Sequence, residues 1–164
     1  MHDILKSLTA GDLSSIADVA KKENIAVERL ARDIRSGRCI VLKNDRRTYA
    51  PCAIGDGASV KVNVNIGTSG INCSPETEIE KAKAAIANGA DAIMDLSTGP
   101  KLLEFREKIM DSVDVPIGTV PIYEAGVITL NKGNEIIEMD EDDIWESIIH
   151  QAKDGVDFMT LHCG

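Results

Sequence analysis

Basic residues are scarce in this sequence relative to acidic ones. Its 164 residues include 18 Lys and Arg against 27 Asp and Glu, which gives a formal net charge of -9. Nucleic acids and anionic membranes are bound by clustered Lys and Arg, and the only basic clusters here are Lys21-Lys22 and Arg46-Arg47. The charge balance therefore predicts that neither a nucleic acid nor a membrane is a partner.

Long apolar runs are also missing. No stretch approaches the roughly 20 apolar residues that cross a bilayer. The first residues, Met1–Lys6, lack the basic stretch and apolar core of a secretion signal. We therefore predict a cytoplasmic protein.

Cysteines and histidines are few, and they are not spaced as metal ligands. The four cysteines lie 13, 21 and 90 residues apart, at Cys39, Cys52, Cys73 and Cys163. The three histidines are equally scattered, at His2, His150 and His162. This pattern predicts buried thiols in a reducing compartment and no metal site within the chain.

The remaining composition, 43% apolar and 27% charged residues, is typical of a globular protein. Apolar residues at helical spacing predict two short helices within residues 1–36, and a strand follows at Cys39–Leu42. Residues 43–58 lack a clear pattern and are predicted to be an irregular loop or linker. We therefore expect a small N-terminal helical segment over residues 1–58.

From residue 59 onward, strand and helix patterns alternate. The predicted strands are Val60–Asn65, Ala92–Met94, Val115–Ile122 and Val156–Leu161. The predicted helices are Glu76–Ala87, Pro100–Met110 and Asp140–Lys153. This order indicates parallel strands joined by crossover helices, but a complete eight-stranded barrel needs about 200 residues or more. We therefore predict an α/β fold in which residues 59–164 form a partial TIM-type (βα) barrel of about four parallel strands.

Each predicted strand ends at a residue that could contact a ligand. These residues are Asn65, Met94, Tyr123 and His162, separated by 29, 29 and 39 residues. Because the carboxyl ends of parallel barrel strands form one rim, the four side chains should converge. An amide, a thioether, a phenol and an imidazole together suit a planar, nitrogen-rich ligand.

Each of the four residues also has a purely structural interpretation. Asn65 could close the turn that follows it by hydrogen bonding to the backbone. Met94 and Tyr123 could belong to the core, and His162 could be disordered at a chain end. The coincidence of four such residues at four strand ends favours the ligand site.

Asp95 and His150 are two further polar residues with a possible chemical or structural role. Asp95, next to Met94, could serve as an acid, a base or a ligand, or could only cap the turn before Pro100. His150, within the last predicted helix, is interpreted as structural or solvent-exposed.

Four runs of sequence, each containing one of the four strand-end residues, resemble the phosphomethylpyrimidine synthase family of thiamine biosynthesis. The runs are Val60–Ser69, Met94–Gly99, Val115–Tyr123 and Asp154–Gly164. Ala53–Gly57 and the N-terminal helices are similar to the shorter prokaryotic forms of that family. The resemblance covers nearly the whole chain.

The resemblance implies a radical S-adenosylmethionine (SAM) enzyme of the carbon-carbon lyase type. Members of the family convert 5-aminoimidazole ribonucleotide into 4-amino-5-hydroxymethyl-2-methylpyrimidine phosphate with a 4Fe-4S cluster, SAM and zinc. It also implies that Asn65, Met94, Tyr123 and His162 contact the substrate. The cluster cysteines and zinc histidines of the family have no counterpart here. We therefore expect an N-terminal portion that binds none of these cofactors and is inactive alone.

Smaller departures from the family pattern occur at Val64, at Pro100-Lys101 and at Glu124. They leave open a paralogue that uses the same substrate, 5-hydroxybenzimidazole synthase of anaerobic cobamide biosynthesis. A non-catalytic half-barrel subunit is another interpretation. Because a half-barrel has two unpaired strand edges, we expect a homo-oligomer or pairing with the missing C-terminal half.

Overall fold

A computed structural model describes residues 4–44, 46–71 and 74–163, so His2 and Cys73 lie outside the described residues. The chain divides into two compact units, Met1–Lys61 and Val62–Gly164. Within the described ranges, no helix is both long enough and apolar enough to cross a bilayer.

The first unit contains helices and a two-stranded antiparallel sheet. Its elements are α1 (Ile4–Thr9), α2 (Ser14–Lys22), α3 (Val27–Arg35), β1 (Cys39–Leu42) and β2 (Cys52–Gly55). The apolar faces of the helices meet in one core, where Leu8, Ile16 and Leu30 are fully buried. This core buries the side chains at the helical spacing seen in the sequence.

The strand predicted at Cys39–Leu42 is confirmed, but two other predictions for this unit were wrong. Three helices are present where two were expected, because α1 is too short to show a repeated apolar pattern. Residues 43–58 are not wholly irregular, since β2 pairs with β1 from Cys39 opposite Gly55 to Leu42 opposite Cys52. A four-residue strand that ends in glycine gives little sequence signal.

The second unit is built on a parallel sheet whose strands lie in the order β3-β4-β5-β6. The strands are β3 (Asn63–Ile66), β4 (Ala92–Asp95), β5 (Ile117–Thr119) and β6 (Phe158–Met159). The helices are α4 (Pro75–Ala87), α5 (Leu102–Ser112), α6 (Pro121–Asn131) and α7 (Glu141–Asp154), with a 3-10 turn at Ile136–Glu138. The prediction of an α/β fold with four parallel strands is confirmed.

Two helix starts follow directly from local sequence. Ser74 caps α4 by accepting a hydrogen bond from the Thr77 amide at 3.3 Å, and Pro75 takes the first helical position. Asp140 caps α7 by accepting one from the Asp143 amide at 3.0 Å. Both helices were therefore predicted close to their observed bounds.

Helix α6 was not predicted, and the strand predicted at Val115–Ile122 was too long. β5 ends at Thr119, and α6 begins at Pro121, because proline suits a first helical position where no N–H partner is needed. Gly126 and Thr129 are poor helix formers, and both are buried, so packing rather than propensity holds this helix. The extra helix explains the longer interval of 39 residues before His162.

The strand register gives the sheet two distinct faces. One face is covered by helices, because its isoleucines are buried against Phe105 and Ile109 of α5. This helix-covered face carries Val64, Ile66, Ile93, Asp95, Ile117 and Thr119. Side chains alternate along each strand, so the remaining residues point the other way. They define the open face, which carries Asn63, Asn65, Ala92, Met94, Gly118 and Phe158.

Candidate functional site

Two of the four predicted site residues are neighbours on the open face. Asn65 of β3 lies directly beside Met94 of β4 in the parallel register. Asn65 is exposed, whereas Met94 is 7% exposed. An exposed amide beside a buried thioether offers hydrogen bonds next to an apolar wall.

The same row continues through Gly118 of β5 to Phe158 of β6. A Cβ atom at Gly118 would lie 2.2 Å from the Phe158 ring, so only glycine leaves space for this ring. The ring therefore packs on the sheet where a side chain would otherwise stand. The open face thus runs from polar Asn65 to an aromatic surface at Phe158.

Tyr123 and His162, the other two predicted residues, form a ring pair. Their ring centroids are 6.2 Å apart with an interplanar angle of 37°, within the range of favourable aromatic contacts. The prediction that Tyr123 ends a strand was wrong. Tyr123 lies in the first turn of α6, two residues after Pro121. His162 follows β6 by three residues and is exposed.

A cleft of about 310 Å³ is lined by His162 of this ring pair but not by Tyr123. It is lined by Ile122 of α6, Trp145 and Ile148 of α7, and the segment from Thr160 to Cys163 that carries His162. Its walls are largely apolar, and His162, Thr160 and Cys163 add polar atoms. Such a mixture is common in sites for small planar ligands.

Gly67 and Thr68, in the loop after β3, donate backbone hydrogen bonds to side chains other than Asn65. The Thr68 amide donates to the Ser97 hydroxyl at 3.0 Å, and the Gly67 amide donates to Glu78 at 2.9 Å. A Cβ at Gly67 would meet the Leu96 backbone at 2.8 Å, so the two loops approach closely. The Thr68 amide therefore donates to Ser97 and not to the Asn65 side chain.

Asp95 is buried on the helix-covered face and caps its own turn. Its Oδ1 accepts a hydrogen bond from the Ser97 amide at 2.9 Å, which is the structural alternative considered from the sequence. Burial raises the pKa of this carboxyl, although the hydrogen bonds from Ser97 oppose the shift.

Sequence reasoning missed a buried polar network behind the ring pair. Glu124, next to Tyr123, receives hydrogen bonds at its Oε2 from Arg106 at 2.7 Å and from the Gln151 amide at 2.6 Å. Its Oε1 lies 2.6 Å from Nδ1 of His150, which is thus a structural residue. Gln151 in turn accepts from the Thr119 hydroxyl at 2.6 Å.

Two signals could have pointed to this network. Arg106 falls among the apolar positions of α5, where a charged side chain needs a buried partner. Glu124 also departs from the family pattern. Burial raises the pKa of Glu124, but the contacts with Arg106, His150 and Gln151 outweigh it and hold the pKa below its ordinary value.

Cys39, Cys52 and Cys163, the cysteines that the structure describes, do not form the site of three or four thiolates that an iron-sulfur cluster requires. Cys39 and Cys52 lie at different positions along the β1-β2 pair, opposite Gly55 and Leu42. Both are buried, and burial raises the pKa of Cys39, which disfavours the thiolate. In the part of the chain that the structure describes, no three His, Cys, Asp or Glu side chains are grouped to hold a metal ion.

Comparison with known proteins supports the resemblance found in the four sequence runs. Residues 5–164 match the Radical SAM ThiC family. The chain is 50% identical over 147 residues to phosphomethylpyrimidine synthase 2 of Methanothermobacter thermautotrophicus, covering 90% of this chain and 35% of that protein. It is 53% identical over 146 residues to the phosphomethylpyrimidine synthase of Methanocaldococcus jannaschii, covering 89% and 34%.

A third relative aligns with the whole chain. This is the phosphomethylpyrimidine synthase of Pyrococcus abyssi, 48% identical over 165 residues and covering 100% of this chain but 38% of that protein. The chain therefore spans little more than a third of the length of these curated relatives. The predicted resemblance to an N-terminal portion of such enzymes is confirmed.

Proposed function

The chain belongs to the radical SAM ThiC family, and we propose that it supplies one half of the substrate pocket of a phosphomethylpyrimidine synthase. The proposed reaction converts 5-aminoimidazole ribonucleotide into 4-amino-5-hydroxymethyl-2-methylpyrimidine phosphate. The names of the similar proteins favour this product over the benzimidazole of the paralogue. The reaction belongs to thiamine biosynthesis in the cytoplasm.

The observation that carries the proposal is the ring contact between Tyr123 and His162, beside an apolar cleft. An aminoimidazole is planar and rich in nitrogen, so it can stack on aromatic rings and exchange hydrogen bonds with a phenol or an imidazole. Asn65 and Met94 lie side by side on β3 and β4 and would contact another part of the ligand. We assign substrate contact to all four residues.

The sheet is proposed to be the first half of a (βα)8 barrel. β3 and β6 are its edge strands, and each leaves backbone donors and acceptors open to a further strand. The remaining strands would come from the C-terminal half of the enzyme, or a second copy of this chain would cover the edges. A half-barrel subunit without its own catalytic activity would use the same edges.

The radical chemistry of the family implies a 4Fe-4S cluster and SAM in the full-length enzyme. The cluster would generate the radical that begins the carbon-carbon lyase reaction. The residues described here fit neither that cluster nor the zinc ion expected for the family. We therefore propose that this chain alone is inactive and that its own residues bind and orient the substrate.

The test is calorimetric titration of the purified chain with 5-aminoimidazole ribonucleotide. We expect binding that weakens about tenfold in Tyr123→Phe and in His162→Ala, which corresponds to the loss of one hydrogen bond of about 1.4 kcal/mol. Tyr49→Phe is the matched control, because Tyr49 is the other tyrosine and lies in the first unit. Absence of binding, or equal weakening in the control, would contradict a working half-site.

A further inference from the structure

A single buried carboxylate is connected to both segments that carry the ring pair. We infer that Glu124 is a positioning residue that sets where Tyr123 meets His162. Its consequence for the substrate rests on the function proposed above. The ring contact itself exists in the free protein and can be measured without a substrate.

The first connection runs through α6. Glu124 is 1% exposed and Tyr123 is 36% exposed, although they are adjacent in the first turn of the helix. Consecutive helical residues point about 100° apart, so holding one side chain in place also fixes the direction of the next. The contacts of Glu124 with Arg106 on α5 and with α7 therefore set the direction in which the Tyr123 side chain leaves α6.

The second connection runs through Gln151 to the segment that carries His162. The Gln151 amide donates to Glu124, and its carbonyl accepts from the Thr119 hydroxyl. The Thr119 backbone carbonyl accepts a hydrogen bond from the Thr160 amide at 2.9 Å, two residues before His162. The same chain of contacts thus positions both rings.

Charge makes Glu124 the central member of this network. It faces the guanidinium of Arg106, which is 2% exposed and also lies 3.5 Å from Asp154. Removing the Glu124 carboxylate would break the closer ion pair of Arg106 and leave the longer one, to the partly exposed Asp154. Because an uncompensated buried charge is costly, α5, α6 and α7 would have to move relative to one another.

The measurement is the nuclear Overhauser effect between ring protons of Tyr123 and His162. We expect a cross-peak in the unaltered chain, its loss in Glu124→Ala, and partial recovery in Glu124→Gln, whose carbonyl can still accept from Arg106. Glu146→Ala is the control, since Glu146 is an exposed carboxylate on α7. A Glu124→Ala variant that unfolds more easily but keeps the cross-peak would overturn the inference.

A second variant applies if Glu124→Ala does not fold. Thr119→Val keeps the shape of the side chain and removes only the hydroxyl that donates to Gln151. A weaker cross-peak supports the inference, and an unchanged one rejects it. Titration with the ribonucleotide separates the two proposals. If the cross-peak depends on Glu124 but the chain does not bind the ribonucleotide, only the proposed function is contradicted.

Discussion

The two faces of the β3-β4-β5-β6 sheet are built from the same strands but serve different purposes. On the helix-covered face, Ile93 and Ile117 are fully buried, and even the polar side chains there are hydrogen bonded. On the open face, Asn65 is exposed and Gly118 has no side chain at all. The comparison teaches that one face holds the second unit together, while the other carries Asn65 and Met94, two of the residues proposed for substrate contact.

The largest expected effect on the free energy of unfolding comes from Ile66. Its neighbour Asn65, on the opposite face, provides the comparison. Ile66→Ala should lower the free energy of unfolding by about 2–5 kcal/mol, because it leaves a cavity against the α4-α5 layer. Asn65→Ala should change it by less than about 0.5 kcal/mol, as is usual for exposed positions. Urea unfolding followed by the fluorescence of Trp145, in the same unit, measures both.

If Ile66→Ala and Asn65→Ala lowered the free energy of unfolding equally, the two faces would not differ in their contribution to stability. A large cost at Asn65 alone would mean that its amide is structural, as the turn-closing interpretation proposed. A low cost at both positions would indicate that β3 contributes little to the folded unit.

The next effect concerns Gly118, a position on the open face where packing is tight. Gly118→Ala should cost about 1–3 kcal/mol, because the new methyl group overlaps the Phe158 ring. The penalty should largely disappear when Gly118→Ala is made in a Phe158→Ala background, since the overlapping ring is then absent. The double-mutant cycle is measured by urea unfolding; additive costs would show that the glycine is needed for another reason.

Local signals explain why much of this fold could be predicted. Ser74 and Pro75 define the start of α4 without reference to any other element, and Asp140 does the same for α7. Pro121 is ambiguous, because proline is acceptable both at the end of a strand and at the start of a helix. The sequence therefore placed Tyr123 near the correct edge of the sheet but on the wrong type of element.

The polar network could not be predicted from spacing. Glu124 lies 18 residues from Arg106 and 27 residues from Gln151, and these intervals match no local motif. The three side chains meet only because α5, α6 and α7 pack on the same sheet. Such contacts depend on tertiary packing, whereas the prediction that Asn65 and Met94 lie close together needed only the rule that parallel strands share one rim.

The smallest effect on stability concerns two buried carboxyls with opposite pKa shifts, Asp95 on the helix-covered face and Glu124 on α6. Burial raises the pKa of Asp95. For Glu124 burial acts in the same direction, but Arg106 and its other partners lower the pKa overall. A raised pKa means that the folded state binds the proton more tightly than the unfolded state does.

The stability contributed at Asp95 must therefore fall as pH rises from the unfolded pKa through the raised folded pKa. Asp95→Asn keeps an oxygen that can accept from the Ser97 amide but cannot ionise, so the variant should gain stability relative to the unaltered chain across that window. Glu124 should show the reverse: Glu124→Gln should be the less stable protein at neutral pH, and the difference should shrink as pH falls through the lowered pKa of Glu124. Urea unfolding at a series of pH values tests both, and parallel pH dependences for the two variants would show that the carboxyls do not differ as their surroundings indicate.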